Sequence, residues 1–177
     1  MARPGRPIKT DPRAEKIAIR IGNGNIEDLK VLLKELGIDA TDGYSRTALL
    51  WTAFYGNLEM LAWLIENGAN INHQDKNGYS ALHFAAQEKR IRIADLLLKH
   101  GASLELRDNH GNTPLWTAVF NARKDYELVK LYLKSRANLD NVNNFGRTPR
   151  QMAETMFSAD FALLLGENEE NTTHNIV

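Results

Sequence analysis

The chain has 177 residues, of which 43% are hydrophobic, a size and composition typical of one globular unit. It carries 22 basic and 22 acidic residues, so no global electrostatic field draws it toward nucleic acid or an anionic membrane. The sequence has no cysteine, which excludes a disulfide framework, zinc–thiolate sites and a cysteine nucleophile. It also shows no apolar signal segment and no run of about 18 apolar residues, so we expect a cytoplasmic protein.

The two ends of the chain differ in charge and lack apolar periodicity. Basic residues dominate the first twenty positions, whereas the last twelve carry three glutamates. We therefore expect a flexible basic arm at 1–12 and a flexible acidic tail at 166–177. After the arm, the segment 24–33 mirrors the later segment 56–65, and residues from about 13 to 21 supply a preceding helix.

A segment containing a turn signal and an apolar stretch recurs along the chain. The segment that begins at Asp42 returns at Asp75 and at Asp108, each time after 33 residues. A fourth copy begins at Asn143 after 35 residues, which places a two-residue insertion near 121–125, between two helices. A fixed period of this length predicts a stack of structural repeats.

Each copy combines a turn, a helix start and a second apolar stretch. Asp at the first position and Gly at the fourth favour a type I turn. A side-chain oxygen then stands where a helix needs its N-cap, and in two copies proline follows at the first helical position. The expected N-caps are Thr47, Ser80, Thr113 and Thr148. Second helices are predicted at 58–65, 91–98 and 128–133.

Two copies carry a longer motif. Residues 78–86 read Gly-Tyr-Ser-Ala-Leu-His-Phe-Ala-Ala, and residues 111–118 read Gly-Asn-Thr-Pro-Leu-Trp-Thr-Ala. This resembles the ankyrin-repeat family, whose pattern is Gly-x-Thr-Pro-Leu-His-x-Ala-Ala. The resemblance implies an all-α solenoid of helix-turn-helix units with β-turn fingers, about five repeats including N- and C-terminal caps. The expected bounds are 13–41, 42–74, 75–107, 108–142 and 143–165 within a 13–165 domain.

Several positions that carry glycine in the pattern carry other residues here. Gly68 and Gly101 are expected to end second helices in the left-handed conformation, whereas Arg136 takes that position in the fourth repeat. Ser45 replaces the turn glycine, and Lys89 replaces the glycine between two helices. None of these changes interrupts the period.

No catalytic motif is present. The sequence lacks a P-loop, a dinucleotide-binding glycine turn, His-Glu-x-x-His and Gly-x-Ser-x-Gly. The five histidines are not paired at helical spacing, and His83 falls at the position where the family uses histidine to bond turn to helix. Carboxylate pairs lie on faces predicted to be solvated, without a pocket to shift their pKa values. We expect no enzyme activity, no metal site and no cofactor.

The arm contains a short basic motif, Arg-Pro-Gly-Arg-Pro, at residues 3–7. Its core resembles the AT-hook, in which arginines enter a narrow minor groove. No basic face interleaved with aromatic residues follows it, and a short basic arm on a neutral chain is more often solvated. We therefore expect no nucleic-acid partner. A DNA-tethered regulator that uses the Arg3–Pro7 arm is the alternative of a different class.

The resemblance also indicates where a partner would bind. In ankyrin-like stacks the fingers and first helices line a concave surface, and recognition falls on positions free of core packing. The candidate partner-binding residues are Tyr44, Arg46, Phe54, Tyr55, Lys76, Asn77, Tyr79, Gln87, Glu88, Asn109, His110, Asn112, Phe120, Asn121, Asn144, Phe145 and Arg147. Six are aromatic, and interfaces favour aromatic and arginine anchors. The alternative for Phe54 and Phe120 is packing beneath a neighbouring repeat. Trp51 is predicted to be structural, and Trp116 fits either role.

The sequence thus predicts a stoichiometric protein-binding module that is monomeric when free. Its protein partner is expected on the concave face, with no membrane contact. Small ankyrin proteins resemble two known uses, as adaptors and as inhibitors, the latter including bacterial immunity proteins that neutralise a toxin. We favour the inhibitor, because an adaptor must hold two partners and this short array offers one obvious face. The adaptor remains an alternative.

Overall fold

The fold is a stack of helical pairs. The computed structural model describes residues 11–157, so the arm up to residue 10, the tail and the end of the fifth repeat lie outside the described residues. A short 3-10 turn, Ala14–Lys16, precedes the α-helices. The helices are α1 Ile17–Gly22, α2 Ile26–Leu36, α3 Ala48–Tyr55, α4 Leu58–Glu66, α5 Ala81–Gln87, α6 Ile91–Lys99, α7 Pro114–Asn121, α8 Glu127–Lys134 and α9 Pro149–Phe157.

The helices pack in two layers. Helices α1, α3, α5, α7 and α9 follow one another side by side in the first layer, and α4, α6 and α8 do so in the second. The two helices of each pair also contact each other. Each repeat therefore gains its stability from its own pair and from its immediate neighbours. The all-α solenoid implied by the resemblance is confirmed.

The core lies between the layers and repeats with the period. Leu49, Leu82 and Leu115 occupy the same repeat position and are all fully buried. Tyr132 of α8 reaches into the preceding repeat, where its buried hydroxyl donates a hydrogen bond to the Leu82 carbonyl at 2.8 Å. Burial raises the pKa of this phenol, so it remains a donor at neutral pH. The bond ties adjacent repeats together through the core.

The predicted helix starts are also confirmed. The Oγ1 atoms of Thr47, Thr113 and Thr148 accept hydrogen bonds from the backbone N–H three residues later, at 3.2–3.4 Å. At Ser80 the backbone N–H donates to Nδ1 of His83 at 3.1 Å, which completes a capping box.

The insertion lies where the spacing placed it. Residues 122–126 link α7 to α8, whereas residues 88–90 link α5 to α6. Within the longer link, Arg123 and Lys124 have φ of +47° and +71°. Two consecutive residues with positive φ turn the chain sharply enough for α8 to keep its place in the second layer.

Replacing Arg136 with glycine is expected to raise the free energy of unfolding by about 0.5–1 kcal/mol, measured by denaturant titration. Arg136 is exposed and has φ of +65°, a conformation that glycine adopts without the Cβ penalty. Lys89→Gly is the matched comparison, because Lys89 has φ of +53° but its Nζ donates to the Ala122 carbonyl at 2.9 Å. Lys89→Gly is expected to gain less, because it also removes this bond. An equal gain at both positions would show that the bond does not contribute to stability.

Candidate functional site

Four finger turns form a ladder along one edge of the stack. We call the segments 42–46, 75–79, 108–112 and 143–147 fingers 1 to 4. In each finger the first residue, Asp or Asn, accepts two backbone N–H groups through Oδ1 at 2.8–3.0 Å. Adjacent fingers are joined by backbone bonds from Lys76 to Tyr44, from Asn109 to Asn77 and from Asn144 to His110, at 2.9–3.0 Å. The finger backbones are therefore held in fixed register.

A cavity of about 710 Å³ opens between the fingers and the first-layer helices. We call it the central hollow. It is lined by Arg46, Trp51, Phe54, Asn77, Tyr79, Phe84, Gln87, Asn109 and His110, which come from three consecutive repeats. Seven of these nine residues belong to the predicted binding set. The wall combines aromatic rings with amide groups, the mixture typical of protein-binding surfaces.

Arg46 is the best-anchored cation of the hollow. Its Nε donates to Oδ2 of Asp75, in the next finger, at 2.9 Å, and the Asp75 side chain is only 1% exposed. The guanidinium carbon lies 4.8 Å from the Trp51 ring centroid, 5.2 Å from that of Phe84 and 5.4 Å from that of Tyr44. One ion pair and three cation–π contacts thus fix this side chain in a single place.

Trp51 and Phe84 belong to the hollow although they were not predicted as binding residues. Trp51 Nε1 donates to Oδ2 of Asp42 at 2.8 Å, which holds the indole against finger 1. Its ring meets Phe54 edge-on at 5.9 Å and stacks on Tyr55 at 6.0 Å. The core role expected for Trp51 is therefore incomplete, because the half-buried indole also forms part of the wall.

Tyr79 is less exposed than its predicted role implied. Its ring centroid lies 5.1 Å from that of His83 and 5.4 Å from that of Phe84, and the side chain is half-buried. Burial, with smaller contributions from the charges of Asp108 and Asp75, raises the pKa of its hydroxyl. The hydroxyl therefore stays protonated at neutral pH. Tyr79 thus supports its neighbours as well as lining the hollow.

A second cavity of about 530 Å³ lies toward the C-terminal end of the same face. It is lined by Trp116, Phe120, Arg147, Gln151, Met152, Thr155 and Met156. Phe120 and Arg147 were predicted, whereas the residues of α9 were not. Phe120 is 61% exposed, so the alternative that it packs beneath a neighbouring repeat is wrong. Phe54 is half-buried against the core, so for this residue the alternative is partly correct.

The other predicted residues divide by exposure. Those exposed on or beside the fingers and first helices are Tyr44, Tyr55, Lys76, Asn144 and Phe145. Two of these exposed side chains still donate within the chain, Lys76 to the Gly43 carbonyl and Asn144 to the Asn109 carbonyl. The less exposed side chains are also engaged: Asn112 bonds to Asp108 and Asn143, Asn121 donates to the Thr117 carbonyl, and Glu88 accepts from Gln87. Asn112 and Asn121 thus stabilise their own turn and helix end.

Residues 11–157 contain neither a metal site nor a membrane-spanning helix. No group of three or more His, Cys, Asp or Glu side chains in this range is arranged to hold a metal ion. None of the helices described there combines the length and apolar character needed to cross a bilayer.

Comparison with known proteins agrees with the repeat architecture. The family model described as ankyrin repeats (3 copies) matches residues 16–108 and 67–143. The E3 ubiquitin-protein ligase Ufd4 of Drosophila melanogaster is 38% identical over 108 residues, 60% of this chain and 4% of that protein. The putative ankyrin repeat protein L271 of Acanthamoeba polyphaga mimivirus is 31% identical over 118 residues, 67% of this chain and 14% of the relative.

A third relative extends the match. The ankyrin repeat protein OPG189 of Variola virus is 28% identical over 152 residues, 86% of this chain and 25% of its own length. The chain thus spans a quarter or less of each of these three relatives. Because the family model covers well over half of the sequence, the chain belongs to the ankyrin-repeat family, whose repeats are protein-binding modules.

Proposed function

We propose that this chain binds one protein partner on the face formed by its fingers and first-layer helices, with the central hollow as the anchor. The observation that carries the proposal is the hollow itself, a cavity of about 710 Å³ walled by aromatic rings and exposed amides. The backbone that supports it is held by bonds between successive fingers. A surface of this kind binds with little ordering cost, which favours affinity.

The relatives support a binding role that is independent of any one activity. They share the repeat segment with this chain, which covers a quarter or less of their length, and they include a ubiquitin-protein ligase and two viral ankyrin repeat proteins. We propose stoichiometric occlusion of a partner as the mode of action, in the manner of an inhibitor or immunity-type protein. An adaptor would instead leave the partner's own working surface open.

The test is site-specific crosslinking. Benzoylphenylalanine at position 87, on the wall of the hollow, is expected to crosslink a protein from a cell extract. The same group at position 99, on the exposed part of the second layer, is expected not to do so. Equal crosslinking at both positions, or a product removed by nuclease, would reject the proposed face, the latter in favour of the DNA-tethered regulator.

The identified partner then separates the two modes of action. An occluder is expected to abolish the partner's activity at one equivalent of this chain, whereas an adaptor leaves that activity unchanged and binds a second protein.

Tyr55→Ala and Tyr79→Ala are each expected to weaken partner binding by about 2 kcal/mol in calorimetry. Tyr79→Ala is also expected to lower stability, because the half-buried ring contacts His83 and Phe84. Tyr79→Phe retains the ring and serves as the fold-preserving comparison. Lys99→Ala, which removes only an exposed pair with Asp95, is expected to change neither affinity nor stability by more than about 0.5 kcal/mol. Normal binding by both alanine variants would show that the partner binds to another surface of the protein.

A further inference from the structure

We propose that the central hollow recognises a carboxylate carried beside an aromatic or aliphatic group of the partner, and that Arg46 donates the hydrogen bonds to it. This inference rests on the proposed function and gives the partner a chemical signature.

Arg46 is preorganised for such a contact before any partner arrives. Its Nε bond to the buried carboxylate of Asp75 fixes the plane of the guanidinium, and the rings of Trp51, Phe84 and Tyr44 surround it. An exposed arginine loses considerable rotamer entropy when it forms an interface contact. Arg46 has already lost that freedom on folding, so a partner that bonds to it does not bear the same cost.

The outer end of the guanidinium is available for a partner. The bond to Asp75 uses Nε alone, and neither Nη group has an acceptor among residues 11–157. The side chain remains 21% exposed and lines the hollow. Two N–H groups that point side by side from such a fork match the two oxygens of a carboxylate. The Asp75 pair partly neutralises the charge of Arg46, so geometry contributes to recognition as much as net charge does.

The rest of the wall favours the same ligand. No residue that lines the hollow is acidic, and the side chains of Asn77, Gln87 and Asn109 are exposed. Asn109 Nδ2 donates to the Lys76 carbonyl and Gln87 Nε2 to Glu88, which leaves each of these amide groups a second N–H to donate. The carboxylate of Asp108 lies beneath and is buried, and both of its oxygens accept N–H groups from finger 3. Glu88, which follows the lining residue Gln87 in the chain, accepts a bond from Gln87.

The apolar part of the wall explains why the ligand is expected to carry an aromatic or aliphatic group beside its carboxylate. The rings of Phe54, Tyr79 and Phe84 meet at centroid distances of 5.4–6.1 Å and present a continuous surface next to the guanidinium. Burial of an apolar side chain against them would exclude water from the ion pair, which strengthens it.

Three peptide probes test the inference by NMR. They are acetyl-Phe-Glu-Phe-amide, its glutamine analogue acetyl-Phe-Gln-Phe-amide, and acetyl-Phe-Ala-Phe with a free C-terminus. The reporters are the side-chain N–H signals of Arg46 and Trp51, both held by hydrogen bonds at the hollow. We expect at least one carboxylate peptide to bind about five-fold or more tightly than the glutamine analogue. The tighter of the two carboxylate peptides identifies a side chain or a C-terminus as the source.

Variants at Gln87 provide a matched pair, because this side chain is exposed and its replacement leaves the core untouched. Gln87→Glu is expected to weaken, and Gln87→Lys to strengthen, binding of the carboxylate peptide by about three-fold each, while the glutamine peptide is unaffected. Lys99→Ala is the control and is expected to bind all three probes normally. Equal binding of charged and neutral peptides, or no shift at about 10 mM of any probe, overturns the inference. The crosslinking result at position 87 does not depend on peptide binding, so it tests the proposed function separately from this inference.

Discussion

Gly78→Ala is expected to lower the free energy of unfolding by about 2–3 kcal/mol, measured by denaturant titration. Gly78 has φ of +78°, so any side chain costs about 1 kcal/mol there. A Cβ at this position would also stand 2.8 Å from the Asp108 Cα and 3.0 Å from the Arg107 carbonyl oxygen. Both contacts are to backbone at the next finger, which cannot rotate away.

Gly146→Ala is the matched control for this prediction. Gly146 occupies the same position in finger 4 with φ of +73°, but a Cβ added there would meet no residue of 11–157 within 4 Å beyond its own chain neighbours. Only the conformational penalty of about 1 kcal/mol is expected there. Equal losses in the two variants would mean that finger 3 moves away from the added Cβ of finger 2 without cost.

Acidification from pH 7 to pH 5 is expected to lower the free energy of unfolding by about 2 kcal/mol through His83 alone. Its Nδ1 accepts the Ser80 N–H, so Nε2 carries the proton and donates to the Asn112 carbonyl at 3.1 Å. Burial lowers the pKa of His83 from 6.5 to about 4, against smaller opposing effects of the Asn112 carbonyl, Asp108 and Asp75. Between these two values the unfolded chain binds the proton and the folded chain does not. Stability therefore falls as the pH drops through that window.

The measurement is the free energy of unfolding at both pH values for the parent and for His83→Leu. Leucine is a reasonable replacement because Leu50 occupies the equivalent position in the second repeat and is fully buried. The variant is less stable at pH 7, but the change between the two pH values is expected to shrink by about 2 kcal/mol. An unchanged pH dependence would show that His83 accepts its proton without disturbing the capping box.

The sequence was sufficient to predict the fold because the local signals agree with the period. The N-cap oxygens of Thr47, Thr113 and Thr148 and the short links between helices are local features, readable without knowledge of the neighbouring repeat. Even Ser45, Lys89 and Arg136, which depart from glycine, keep the left-handed backbone that the repeat requires. Stacking of adjacent repeats imposes that conformation despite its cost.

The site was harder to predict because exposure depends on the neighbouring unit. Phe54 and Phe120 occupy the same repeat position, yet Phe54 lies against Trp51 and Phe84 and is half-buried. Phe120 has Thr117 in place of that tryptophan and is exposed. Arg46 likewise was predicted as a surface contact, whereas its ion pair depends on Asp75, 29 residues later. Such contacts appear only when the repeats are placed side by side.

The hollow draws its wall from the second, third and fourth repeats, whereas α9 contributes nothing to it. In a linear array, local opening starts at an end and moves inward one interface at a time. A bound partner would join the two interfaces among these three repeats into one cooperative block, since opening either of them would release it. Fraying from the C-terminal end would then stop at finger 3, so that the solenoid could shed its last repeat and still hold its partner.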